Sequence, residues 1–432
     1  MRFALLVALS HLRSRRHDAG VSAIALISMG GVTVGVMALI MVLAVMEGFE
    51  VDLREKILGS NAHVVALSFT GYFGNYGEKA DDVAQLEEVE AAAPFLYTEA
   101  MVRSSFGNAG VVLKGIDPER TAGVTDVVSN LTIGPMGEVD GPEEQQDILD
   151  NLHNPPRAIA QADDDTDELP GLIVGKELAD QLKVYPGDRV HVINPIGGGI
   201  GPMGLPVPRV QPVRIAGVFY SGMYEYDTKW TYMTIEDTQA FLQLEDVASG
   251  IEVRVHDPDD VKGVTGPIEQ ALGTAFYARH WQTLNKSLFA ALKLEKIVMG
   301  LILSLITLVA SLNIVGSLIL VVVTRAREIS IMRAMGASKN TVRLVFMLEG
   351  LIIGVVGTTL GTILGLVGCV GLDNYQFPLD TDVYYLDTLP VVIVPETIVV
   401  VAISAIAICF TATLYPATLA ASIDPVEGLR YE

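Results

Sequence analysis

Four stretches of this 432-residue chain contain no charged side chain: residues 21–46, 297–324, 350–372 and 397–423. A bilayer core about 30 Å thick takes roughly 20 apolar residues of helix to cross. All four stretches are long enough. Within lipid only helices or closed barrels satisfy their own backbone groups, so this pattern limits the fold more than any other feature. The expected fold class is a membrane protein with four transmembrane α-helices plus a large α+β domain on helical stalks.

The first stretch follows Arg13, Arg15 and Arg16, as the apolar part of a secretory signal would. It is too long for one, and no small-residue cleavage site follows, so a retained anchor is expected. The same length disfavours reading Arg15-Arg16 as a twin-arginine export signal.

The formal net charge of −22 is concentrated in one segment. Between Glu47 and Lys286 there are 39 Asp or Glu and 17 Lys or Arg, a difference of −22, so the remainder sums to zero. Phosphate recognition needs clustered basic side chains, which excludes nucleic acid as a partner of this domain. Asp163, Asp164, Asp165, Asp167 and Glu168 read as a solvated loop, with calcium binding as the alternative. The two cysteines, Cys369 and Cys409, lie inside apolar spans, and the seven histidines include no His-x-x-x-His pair. Neither a disulfide framework nor a metal site is expected.

Lys and Arg concentrate on cytoplasmic flanks. Arg2, Arg13, Arg15 and Arg16 precede the first span, and Arg325, Arg327, Arg333, Lys339 and Arg343 follow the second. The segment between spans three and four carries Asp373, Asp380, Asp382, Asp387 and Glu396 with no Lys or Arg. Both termini are therefore expected inside. The implied order is an N-terminal helix (1–20), span one (21–46), an outer domain (47–290), span two with its stalk (291–324), a cytoplasmic loop (325–343), span three (344–372), an outer loop (373–396), span four (397–423) and a tail (424–432).

Within the outer domain, β-type runs at 62–67, 110–115, 189–193, 213–220, 231–235 and 251–256 alternate with Gly/Pro turns. Helices are expected at 80–93, 176–182, 236–244 and 260–272. Residues 135–170 read as an insertion or mobile loop. Helical pattern at 47–58 and 284–296 continues spans one and two outward as stalks. Gly350, Gly354, Gly357, Gly361, Gly365 and Gly368 form overlapping small-xxx-small repeats in span three, and Gly31 and Gly35 lie in span one. They imply close packing, within one subunit or between two.

Residues 171–176 end in Gly-Lys, but Glu177 stands where a P-loop needs Ser or Thr, and the glycine spacing is one short. Residues 199–204 match G-x-G-x-x-G, yet prolines at 202, 206 and 208 forbid the helix that would hold phosphate. The Pro/Gly-rich run 194–212 instead fits a protruding loop whose Ile200, Met203, Leu205 and Val207 make an apolar tip, either a partner-binding hook or simply a disordered loop. Residues 327–343 read as a short helix, a break at Gly336 and a second helix. Ile329, Met332 and Met335 share one face of the first helix, while Arg327 and Arg333 lie off it. Docking on a partner protein and lying on anionic lipid fit that pattern equally. No Ser/His/Asp or Cys/His arrangement points to catalysis.

Several stretches resemble the LolC/LolE lipoprotein-releasing permeases, within the class that includes MacB exporters and FtsX division proteins. They run almost end to end: 21–50, ending Val45-Met46-Glu47-Gly48-Phe49-Glu50; Lys56-Ile57-Leu58-Gly59-Ser60-Asn61-Ala62-His63; 171–193; Ser221-Gly222-Met223-Tyr224-Glu225-Tyr226-Asp227; 281–296; 327–350; Asp382-Val383-Tyr384-Tyr385-Leu386-Asp387-Thr388-Leu389-Pro390; and the tail from Asp424-Pro425-Val426-Glu427. The cytoplasmic loop and the tail resemble the whole class, whereas 221–227 and 384–390 are similar to lipoprotein-releasing members in particular. The acidic 135–170 region and the glycine-rich approach to the hook depart from the pattern.

The resemblance implies a non-catalytic inner-membrane subunit with its large domain in the periplasm, paired with a second permease chain, identical or paralogous. Two LolD-like ATPase subunits would bind ATP and Mg, and this chain would bind no cofactor. Arg327, Glu328, Ile329, Met332, Arg333, Met335 and Gly336 would couple to the ATPase. Gly201, Pro202, Met203, Gly204, Leu205, Pro206 and Pro208 would form the hook that recruits a periplasmic LolA-like carrier. Acyl chains of triacylated lipoproteins would enter near Met41, Val42, Val45, Met46 and Phe49 on one side and Phe289 and Leu292 on the other. Burial of a CH₂ stabilises by about 0.8 kcal/mol, so a chain of roughly 16 carbons is held by about 12 kcal/mol and does not pass freely through water. A rival within the class is a mechanotransmission permease for efflux or cell-wall hydrolase control, and a rival outside it is a membrane-anchored enzyme.

Lacking a phosphate-cradling loop, the purified chain is expected to hydrolyse no ATP. A phosphate-release assay that finds turnover, lost on a point change in this chain, overturns that expectation.

Overall fold

The computed structural model describes residues 19–156, 168–195, 197, 207–378 and 388–423. Several expectations fall outside them: Arg2, Arg13, Arg15 and Arg16, the acidic residues 163–167, hook residues 199–206, the stretch 379–387, and the tail from Asp424. The chain divides into a helical unit (Met1–Asp52, Ala290–Pro378, Thr388–Glu432) and a mixed α/β unit (Leu53–Phe289, Leu379–Asp387).

Four long helices, Ala19–Ser60, Lys286–Thr324, Lys339–Tyr375 and Pro395–Ser422, carry the expected apolar spans. Among the described residues, three stretches are long and apolar enough to cross a membrane: Leu26–Ser60, Lys339–Tyr375 and Pro395–Ser422. Within Lys286–Thr324 the described apolar portion is the shorter Ile314–Thr324, so that helix does not meet the same criterion. The stalk expected from residue 284 begins at Lys286, after a separate turn at Trp281–Leu284.

The glycine stripe of Lys339–Tyr375 is used inside this chain. A Cβ at Gly350 would lie 1.9 Å from Thr413 Cγ2, and one at Gly354 would lie 2.8 Å from Cys409 Cβ, both on the last helix. Further along, a Cβ at Gly357 or Gly361 would meet Val32 Cβ at 3.0 Å or the Thr33 carbonyl oxygen at 2.6 Å, on the first helix. The backbones approach closely enough for Thr33 Oγ1 to donate to the Gly357 carbonyl at 3.2 Å. Within the chain, these contacts supply the close packing that the glycines imply.

The α/β unit is built on an eleven-stranded mixed sheet: β1 (Val64–Ser68), β2 (Val89–Arg103), β3 (Asn108–Ile116), β4 (Leu131–Gly134), β5 (Gly137–Glu138), β6 (Gly171–Gly175), β7 (Arg189–Asn194), β8 (Arg209–Phe219), β9 (Trp230–Thr234), β10 (Gly250–Val255) and β11 (Phe276–His280). The order is β11-β1-β10-β2-β3-β9-β6-β8-β4-β5, with β7 pairing β2 and β8. Pairing is parallel at β3–β9 and β6–β8 and antiparallel elsewhere. One core gathers Val102, Leu113, Leu172, Val190, Ile215 and Phe241, and another Val64, Val83, Ile251, Val253, Ile268 and Trp281.

Two expectations are corrected. The helix expected over 80–93 is Tyr76–Ala84 only, because Val89 starts β2 and residues 89–95 are paired by β10. The acidic 135–170 segment contains β5 and the helix Pro142–Asp150, whose Ile148 and Leu149 pack with Leu152 against Ile173 and Phe219. Glu143 and Glu144 occupy that helix's first turn, where the dipole favours them.

A buried ion pair bridges the strands flanking β2. Lys114 Nζ lies 2.7 Å from both carboxylate oxygens of Glu252, with the residues 5% and 8% exposed. The rings of Phe95, Tyr232 and Trp230 surround the ammonium at 5.5, 5.8 and 5.9 Å. Removing one partner of a buried pair leaves an uncompensated charge, at a cost of about 3–5 kcal/mol, whereas replacing both by apolar residues is often nearly neutral. Lys114→Met is therefore expected to lower the thermal midpoint of the purified chain sharply, and Lys114→Met/Glu252→Leu to regain most of it. Equal midpoints for the two variants contradict this.

Candidate functional site

The connector after Thr324 forms a helix, Ala326–Ala334, then breaks. Gly336 takes φ +99, which other residues adopt only with strain, and its N–H donates to Arg333 O at 3.0 Å. Ala337 N reaches Met332 O at 3.0 Å. Ser338 then caps the next helix, its Oγ accepting from Thr341 N at 3.2 Å. Short helix, glycine break and second helix match the expected order.

The shared face does not stay free. Ile329 is fully buried against Val321, Val322, Val342 and Phe346, and Met332 packs at the edge of the same cluster. Arg333 is half-buried and donates to the Ile423 carbonyl. Arg327, Glu328 and Gly336 are exposed, and Met335 is 75% exposed. Ile331, not singled out from the sequence, is exposed beside them. The surface this connector offers is thus Arg327, Glu328, Ile331 and Met335.

The seven acyl-contact residues divide between the two units, Phe289 belonging to the α/β unit and the other six to the helical unit. Met41, Val42, Val45, Met46 and Phe49 are half-buried along the Ala19–Ser60 helix. Met41 Sδ would lie 2.8 Å from a Cβ at Gly368, which places its thioether over the third span. Leu292 is buried. Phe289 lies edge-on to Trp281, centroids 5.1 Å apart, in the α/β unit. Near Phe49, Lys296 Nζ lies 2.6 Å from Glu47 Oε2 and 3.1 Å from Glu50 Oε2, tying the helices Ala19–Ser60 and Lys286–Thr324 together. The sequence signalled this pair only through one basic and two acidic residues beside otherwise charge-free spans.

The base of the 194–212 loop is a β-ribbon in which Asn194 opposes Arg209 and Arg189 opposes Arg214. Val207 and Pro208 are exposed where the chain enters β8. Gly201, Pro202, Met203, Gly204, Leu205 and Pro206 lie outside the described residues.

Two of the quoted stretches meet in the α/β unit. The Tyr226 hydroxyl accepts from Asn61 Nδ2 at 2.7 Å and donates to Asn61 Oδ1 at 3.0 Å, and its ring stacks on Trp230 at 5.7 Å. Burial pushes the Tyr226 phenol up, against the Asn61 hydrogen bond. Asp227 Oδ1 accepts from Ser221 N at 2.9 Å and Ser221 Oγ at 2.7 Å across Gly222, whose φ is +70. Burial raises this carboxyl above its ordinary range while the Ser221 bonds pull it down. A Cβ at Gly175 would lie 2.2 Å from Asp227 O. Residues 171–176, weighed above as a phosphate loop, are strand β6 followed by a helix held against this turn. The arrangement holds Ser221, Asp227 and Gly175 in one fixed corner.

A third meeting lies in the helical unit. A Cβ at Gly48 would fall 2.5 Å from Pro390 O, and Val392 N donates to Ala44 O at 3.0 Å. Among the described residues no group of three or more His, Cys, Asp or Glu side chains is placed to hold a metal.

Residues 25–271 match the MacB-like periplasmic core domain family, and residues 300–425 match the FtsX-like permease C-terminal family. The chain is 30% identical over 442 residues to a lipoprotein-releasing system transmembrane protein LolC of Xylella fastidiosa, covering 99% of this chain and 98% of that one. Identity to LolC of Neisseria meningitidis is also 30%, over 443 residues with the same coverages. A lipoprotein-releasing system transmembrane protein LolE of Haemophilus influenzae is 24% identical over 96% of each chain.

Gly48→Val is expected to force residues 390–392 off the first helix and to destabilise by about 1–3 kcal/mol, as overpacking does. Faster labelling of a cysteine placed at Val391, with a lower thermal midpoint, checks it. An unchanged labelling rate contradicts it.

Proposed function

Because the chain belongs to the LolC family of lipoprotein-releasing system transmembrane proteins, with a MacB-like periplasmic core domain and an FtsX-like permease part, we propose that it is the transmembrane subunit of an ABC complex that extracts lipoproteins from the inner membrane. The complex hands them to a soluble periplasmic carrier of the LolA type. The observation that carries this reading is likeness along almost the whole chain, through both units, to lipoprotein-releasing relatives. The mechanotransmission alternative rests on the broader class alone.

In this reading Lys286–Thr324 also crosses the membrane, as span two, since residues 297–324 hold no charge. Many of its apolar side chains, among them Ile297, Leu301, Leu305 and Leu312, face outward without cover from the chain, as a lipid-facing or partner-facing helix requires. Both termini lie in the cytoplasm and the α/β unit in the periplasm. A second permease chain completes the acyl-chain entrance near Met46, Phe49 and Leu292. Two ATPase subunits bind ATP and Mg and drive the cycle, and this chain is non-catalytic. Residues 201–208 capture the carrier.

The ATPase docks on the exposed side of the Ala326–Ala334 helix and the turn after it. Ile331 and Met335 supply apolar contact, and Arg327 and Glu328 supply charge. Met332→Asp would disturb the chain's own packing, so Met335→Asp is the cleaner test. Met335 has few neighbours to lose, and a buried charge at the interface is costly. The complex should be purified gently through a tag on this chain. Wild type is expected to bring down acylated protein and an ATPase, and Met335→Asp to lower ATPase recovery at least tenfold. Normal ATPase recovery with normal transport means that the connector rests on lipid instead, and absence of acylated protein from the wild-type complex removes the functional reading.

A further inference from the structure

Glu47 is the first charged residue after the charge-free stretch 21–46, and Lys296 is the last before the charge-free stretch 297–324. Both stand where an apolar span meets water, on the side of the outer domain. A lysine at such an edge ordinarily extends its ammonium toward lipid phosphates. Here the ammonium is already engaged, 2.6 Å from Glu47 Oε2 and 3.1 Å from Glu50 Oε2. One carboxylate is enough to neutralise it, so the second leaves a negative charge in excess. The exposed neighbours Lys293 and Glu295 cancel each other.

The three residues border the acyl-chain entrance. Glu47 and Glu50, spaced i, i+3, share one face of the Ala19–Ser60 helix. Met46 precedes Glu50 by one turn, Leu292 precedes Lys296 by one turn, and Phe49 adjoins Glu50. Burial of the chains cannot tell cargo from bulk lipid there, because a CH₂ is stabilised alike whichever molecule carries it. The head groups differ. A phospholipid carries a phosphate anion, whereas the acylated cysteine of a triacylated lipoprotein bears its chains on glycerol esters and an amide, with neither phosphate nor amine. Charges at a partly exposed site act over a Debye length of about 8 Å, which reaches a head group whose chains lie at Phe49. A bare ammonium would attract the phosphate, and an excess carboxylate repels it.

We propose that Glu47 and Glu50 make the entrance selective against phospholipid, by keeping Lys296 paired and leaving one negative charge where a phosphate would otherwise settle; this rests on the entrance reading given above. Lys296 ties the two helices together, and the carboxylates withhold its charge from lipid. The cargo singled out is the lipid-modified chain end that lacks a phosphate.

The test uses the whole complex in nanodiscs of phosphatidylethanolamine and phosphatidylglycerol, loaded with a triacylated lipoprotein and carrying photoreactive benzoylphenylalanine at position 49. Mass spectrometry reads the ratio of phospholipid to acylated protein crosslinked there. Glu47→Gln/Glu50→Gln, which bares the ammonium, is expected to raise that ratio about fivefold, as one Lys gains from an anionic lipid surface. Adding Lys296→Gln should bring it back down. In the wild-type complex, diacylglycerol with the same chains, doped into the disc, should crosslink more per molecule than phospholipid, a comparison that no substitution can disturb. Equal yields from the two lipids overturn the proposal, as does an unchanged ratio in Glu47→Gln/Glu50→Gln. A raised ratio that Lys296→Gln fails to lower also overturns it, since loosened helices and not a bared charge then admit phospholipid. If wild type crosslinks lipid but no acylated protein from position 49, the entrance reading itself falls and takes this proposal with it.

Discussion

The helical unit depends on how closely the Lys339–Tyr375 helix approaches its neighbours. Inside a bilayer, lipid tails are as apolar as leucine, so helices gain little by hiding apolar surface and are held by close packing and interhelical hydrogen bonds. One glycine stripe meets the last helix through Gly350 and Gly354 and the first helix through Gly357, Gly361, Gly365 and Gly368. Carbonyls normally shielded by side chains become reachable, as the bond from Thr33 to Gly357 O demonstrates. The same packing fixes the first helix where Gly48 meets Pro390 and, at the other end of the third helix, supplies Phe346 to the cluster that seats the connector.

The α/β unit is governed by a different rule, that of burial from water. Strand β2 is long enough to pair β10 through residues 89–95 and β7 through residues 101–103, while β3 runs beside most of its length. It thus serves two cores at once. Between them lies the Lys114–Glu252 pair in its aromatic surround, a charged group where packing alone would have been simpler. Such a pair adds little net stability over apolar residues, but it penalises any register of β3 against β10 that separates the two charges.

Span positions are legible in the sequence because membrane thickness sets a length that charge-free runs reveal directly. Strands with alternating apolar residues, such as 189–193 and 251–256, are legible for a similar reason. The helix expected over 80–93 fails because Ala91, Ala92 and Ala93 favour helix locally, while pairing to β10 outweighs that preference. Strand β6 carries no alternation to read, since all five of its residues are buried between β8 and β9. The Asn61–Tyr226 and Gly48–Pro390 contacts were illegible individually, although each joins stretches whose family resemblance had already set them apart. Nothing in local spacing says that two motifs distant in sequence are neighbours.

The connector illustrates this limit most sharply. Helical periodicity groups Ile329, Met332 and Met335 on one side, but it does not say how much of that side the chain covers itself. The structure divides the group: Ile329 turns into the cluster formed by Val321 and Phe346, Met332 borders it, and Met335 projects beyond it near the glycine break. The apolar stripe therefore has two uses along its length, anchoring the connector at one end and leaving adaptable surface at the other. Met335 is thus carried on an element anchored through Ile329 in the packed bundle and not on a free loop.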